Sequence, residues 1–102
     1  MPKFVFIYRG GNRPVDGAAH MKKWRAWSTG LGEAKIYPGM PFARAVTVSA
    51  AGVSEGSGDM PMAGVTVIEA DSIEIAKEHA KACPHIDLGG EIVVAEGVDM
   101  EM

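Results

Sequence analysis

The stretch from Met62 to Val94 constrains this chain more than any other. Gly64–Ala70 alternates Val65, Val67 and Glu69 against Thr66, Ile68 and Ala70, the period-two pattern of a strand. Asp71 and Glu74 follow with capping-box spacing, at the head of a run that places Ile73, Ala76, Ala80 and Cys83 on one helical stripe. Two of those four are alanines, so the helix can lie close to a sheet. Pro84 stops it, Gly89-Gly90 turns the chain, and Glu91–Ala95 is again strand-like. Strand, capped helix and strand in that order make half of a βαββαβ domain.

The other half is legible upstream. Lys3–Arg9 is rich in Phe, Val, Ile and Tyr and ends at Gly10-Gly11, which predicts a first strand. Asp16 is placed to cap a helix over Gly17–Leu31, with Met21, Trp24, Ser28 and Leu31 on one stripe and Trp27 at its border. Lys22, Lys23 and Arg25 fall largely outside it. Ala34–Tyr37 reads as a short strand, Pro38–Pro41 as a turn, and Phe42–Ser49 as a second strand. Ala51–Asp59 is small, polar and Gly-rich, a loop with at most a short ladder at Val53. The expected fold is α+β, a ferredoxin-like βαββαβ sandwich in one domain over residues 1–102, its antiparallel sheet carrying two helices on one face. Helices on one side leave the other side bare, yet the strands carry apolar side chains on both. A second copy of the chain is the expected cover, as a homodimer with face-to-face sheets.

Composition narrows the function classes. The 102 residues suit one domain, and 47% hydrophobic content fits a packed core. A net charge of −3 without a basic run argues against a nucleic-acid surface. No stretch is long and apolar enough for a membrane span, and the apolar part of Met1–Arg9 is too short for a secretory h-region. One cysteine, Cys83, excludes an internal disulfide and fits a reducing cytoplasm. Neither glycine pair forms a dinucleotide or phosphate loop, and His20, His79 and His85 are too scattered for a metal set. No cofactor is expected.

Several motifs together resemble the YCII-related (DGPF-type) proteins. They are Gly64–Ala76, Ala82-Cys-Pro-His85, Gly89-Gly90-Glu-Ile92, Phe4–Tyr8, Met21-Lys-Lys-Trp24 and Pro38-Gly-Met-Pro-Phe42. Asp59-Met-Pro-Met62 retains the Asp and Pro of the family signature. The resemblance implies a dimeric α/β barrel and, in some members, a His-Asp pair in a cleft beside the first helix. Haem- and quinol-handling oxygenases share such barrels by fold-level analogy only.

On these grounds His20 is the candidate acid/base and Asp59 its orienting partner, against the alternative of a surface histidine on an amphipathic helix. Arg9 and Arg44 are candidate contacts for an anionic ligand, against solvated strand-end charges. Trp27, at the stripe border, is the candidate aromatic wall, whereas Trp24 reads as core. His85 and Asp87 read as structural at a helix end, and Cys83 as a buried small hydrophobe. The expected ligand is a small polar or aromatic acid, handled by cofactor-free acid/base chemistry. The alternative is a non-catalytic homodimeric module that binds a ligand or serves as an accessory domain.

Overall fold

The computed structural model describes residues 1–98. In chain order the elements are β1 (Lys3–Arg9), α1 (Gly17–Leu31), β2 (Lys35–Pro41), β3 (Val46–Ser49), β4 (Gly52–Glu55), β5 (Met62–Glu69), α2 (Ile73–Lys81) and β6 (Glu91–Glu96). Short 3₁₀ turns follow each helix, at Gly32–Ala34 and Pro84–Leu88. Four strands form one sheet in the order β2-β5-β1-β6, antiparallel throughout, and β3 pairs with β4 apart from it. The molecule is α+β, and its order of elements is compatible with a ferredoxin-like sandwich.

Local chemistry accounts for the helix boundaries. The Asp16 carboxylate accepts the Ala19 backbone N–H at 3.1 Å and starts α1. Gly32 closes α1 at φ 55°, its N–H donating to the Thr29 carbonyl. In α2 the cap is Ser72 rather than Asp71, its hydroxyl accepting the Ile75 N–H at 3.3 Å. Ser72 has the extended backbone and the three-residue offset that capping needs; Asp71 stands one residue too far out.

Side chains alternate sharply across β1 and β5. Phe4, Phe6, Tyr8, Thr66 and Ile68 are buried, and Val5, Ile7, Val65 and Val67 between them are half-buried. Leu31 from α1, Ala76 and Ala80 from α2, and Cys83 join the buried set, with Trp24 and Trp27 packed against it. Both helices therefore cover the same sheet face. Ile73, expected in the buried stripe of α2, is 36% exposed because the helix starts there, a turn outside the packed region.

Two expectations for the middle of the chain are corrected. Pro38–Pro41 is part of β2, an edge strand where prolines cost no ladder bond, with register shifts around Tyr37 and Met40. The strand expected over Phe42–Ser49 begins only at Val46 and leaves the main sheet. Its partner lies inside the expected loop: Val46 faces Glu55 and Val48 faces Val53, with Gly52 at φ 125° just after the turn. Gly52-Val-Ser-Glu55 carries enough alternation to close a hairpin on β3 but, with Val53 its one apolar side chain, too little apolar bulk to announce a strand.

Candidate functional site

A cleft of about 270 Å³ opens between the sheet and α1. Tyr8 on β1 and Thr66 on β5 are at its polar end, Trp24 and Met21 of α1 form one wall, and Pro38–Pro41 of β2 form another. The β2 wall depends on Gly39. Its φ is 104°, and a Cβ there would run into the Val65 carbonyl, so only glycine lets β2 lie this close to β5. Met21 and Met40, each about half exposed, supply adaptable apolar surface.

A directed chain of hydrogen bonds crosses the cleft's polar end. Thr66 Oγ1 lies 3.2 Å from the Pro38 carbonyl, which can only accept, so the threonine donates to it. Tyr8 Oη, 2.7 Å from Thr66 Oγ1, must then donate in turn. Burial drives the Tyr8 phenol well above its ordinary value; the Thr66 bond opposes the rise and the neighbouring Cys83 thiol adds to it. Tyr8 is thus a neutral hydroxyl under ordinary conditions. Burial likewise pushes the Cys83 thiol up to about 11, against a hydrogen bond from the His85 backbone, which makes it a poor nucleophile.

His85 lies behind Tyr8, with ring centroids 5.4 Å apart and the imidazole buried. Its Nε2 is 3.0 Å from the Arg9 carbonyl, so in the neutral ring that nitrogen carries the proton and Nδ1 the lone pair. A Cβ on Gly90 would overlap this ring, and one on Gly11 would come within 2.9 Å of it. The glycines that read as turn formers thus also make room for the imidazole.

The structure distributes the candidate residues widely. His20 Nε2 accepts the Trp24 indole N–H at 2.7 Å, and no hydrogen bond joins His20 to Asp59, which is exposed between β4 and β5. Arg9 gives its carbonyl to His85 and keeps a buried Nε without a partner. Arg44 precedes β3 instead of sitting within a strand, and pairs with Glu55 at 2.8 Å, both side chains about three-quarters exposed. Trp27 donates its indole N–H to the His79 carbonyl at 2.9 Å, tying α1 to α2. It lines a second, more open depression of about 370 Å³ with Leu31 and Ile75.

None of those five residues lines the first cleft; Tyr8, Trp24, Thr66 and His85 do. Trp24 and Trp27 thus exchange their expected positions relative to it. Thr66 carried one sequence signal, a lone hydroxyl on the same strand face as Ile68 and Ala70. Among the described residues no group of three or more His, Cys, Asp or Glu is placed to hold a metal, and no helix is long and apolar enough to cross a membrane. The chain matches no protein-family model and no curated protein.

Proposed function

We propose that the protein is a ferredoxin-like homodimer of YCII-related type that binds a small aromatic molecule in the cleft between its sheet and α1. The observation that carries the binding role is the lining itself: aromatic, Met and Pro surface around one Tyr-Thr pair, the composition of a ligand pocket. Its volume of about 270 Å³ suits a one- or two-ring compound. Non-catalytic binding is favoured over acid/base turnover. The lining residues include no carboxylate and no Lys or Arg, and the one histidine among them has Nε2 committed to a carbonyl. Titrating the ¹⁵N-labelled chain with indole tests this. Saturable shifts at Trp24 and Thr66 are expected, and their absence at millimolar indole would overturn the binding role.

The dimer is supported by the sheet face opposite the helices. Register puts Val5 opposite Val67, and Ile7 between Val65 and Val93, a continuous apolar centre. Lys3 faces Glu69 at one end and Arg9 faces Glu91 at the other. An apolar centre with a charged rim is the anatomy of a protein interface. Sedimentation at micromolar concentration is expected to give twice the 10.8 kDa chain mass, and Val67→Asp a folded single chain. A wild-type protein that sediments as a single chain would remove the dimer.

A further inference from the structure

We infer that the cleft selects a neutral aromatic molecule that donates a hydrogen bond, because every side-chain donor lining it is already engaged within the protein. The inference deepens the proposed binding role and rests on it. Four lining side chains carry an N–H or O–H: Tyr8, Trp24, Thr66 and His85. Thr66 donates to the Pro38 carbonyl and Tyr8 donates to Thr66. The Trp24 indole N–H donates to His20 Nε2 at 2.7 Å. The His85 Nε2–H donates to the Arg9 carbonyl at 3.0 Å. Two of these directions are fixed by acceptors that have no proton to give, the Pro38 and Arg9 carbonyls, and Trp24 by an indole that has no lone pair to offer. The Tyr8 direction follows from that of Thr66.

What these side chains still offer is acceptor capacity: the Tyr8 oxygen lone pair that the Cys83 thiol does not meet, the second lone pair of Thr66, and Nδ1 of the neutral His85 ring. A carboxylate would meet side-chain lone pairs in an apolar cleft with no lining Lys or Arg, and no lining side chain would replace the hydration it gives up. A neutral ether or ketone would find no side-chain donor. A phenol, indole or aromatic amide would place its N–H or O–H on Tyr8 Oη and its ring against Trp24. Trp24 already meets Tyr8 edge-on at 5.2 Å, a geometry that a further ring can extend. The expected small acid is therefore replaced by a neutral donor.

The test compares three probes of similar size on the full-length ¹⁵N-labelled protein: indole, its oxygen isostere benzofuran, and benzoate. Indole is expected to bind ~10-fold more tightly than benzofuran, the size of one neutral hydrogen bond, with benzoate the weakest. Tyr8→Phe removes the accepting oxygen and is expected to bring indole and benzofuran to parity. Thr66→Val releases the Tyr8 proton toward the cleft and is expected to shift preference toward benzofuran, so one folded variant suffices. Benzofuran or benzoate binding as tightly as indole, with shifts at Trp24, would overturn the donor selection and leave the aromatic cleft standing. Failure of all three probes to bind would overturn both.

Discussion

Along β1, Phe4 and Phe6 are 0% exposed and Tyr8 is 5% exposed, while Val5 and Ile7 between them stay half-buried. The partner strand repeats the contrast, with Thr66 and Ile68 enclosed and Val65 and Val67 partly open. Both faces are apolar, and they differ in cover and in side-chain size. Aromatic rings fill the face that receives two helices. Compact β-branched residues line the face that receives none. Alternation therefore says which residues share a face, and the position of the helices decides which face is enclosed.

Phe6→Ala is the strongest way to break this contrast. It empties a fully enclosed site beneath Trp27, whose ring stacks on Phe6 at 6.3 Å, and a loss of about 3–5 kcal/mol is expected in urea unfolding. A loss no larger than that from Val5→Ala would mean the two faces are equally packed.

Alkaline pH probes the same enclosed face more gently. Cys83 moves from an ordinary 9.0 to about 11 in the fold, so the folded state holds its proton more tightly than the unfolded chain does. Stability is then level below about pH 8, and falls as pH rises from about 9 to 11. Two units set a ceiling of about 3 kcal/mol on the loss. Tyr8 acts in the same direction at still higher pH. Unfolding curves at pH 8 and 10.5 should show the drop in wild type and a smaller one in Cys83→Ala; equal drops would place the thiol in water.

The smallest effect is expected from Trp27→Phe. The ring packing on Phe6 largely survives, but the hydrogen bond to the His79 carbonyl does not. A cost of about 1 kcal/mol is expected, measured as a shift in the urea midpoint. No shift would show that α1 and α2 are held together by packing alone.

Legibility in the sequence followed the range of the interaction. Asp16 could be assigned as a cap because its acceptor serves Ala19, three residues on. Lys3–Arg9 could be bounded because its composition and Gly10 act locally. Asp71 and Ser72 are both capping types, and only backbone conformation separates them. The β3–β4 hairpin shows in the sequence only as a short ladder at Val53, because Gly52–Glu55 becomes a strand only in the presence of Val46–Ser49. In the cleft, Tyr8 meets Thr66 across 58 positions and His85 meets Arg9 across 76. No local pattern reports such a pairing, so the helix histidine is legible as a candidate and the strand tyrosine is not.

By itself the sequence determined that two helices are set among strands, where caps and glycines bound most of them, and that both sheet faces are oily. These follow from periodicity and short-range hydrogen bonding, which neighbouring residues specify among themselves. The tertiary structure decided which tryptophan borders the cleft, which proton each hydroxyl and ring gives away, and which arginine is held by a glutamate. Those outcomes depend on distant atoms meeting at hydrogen-bond distance, and only the packed backbone brings them there.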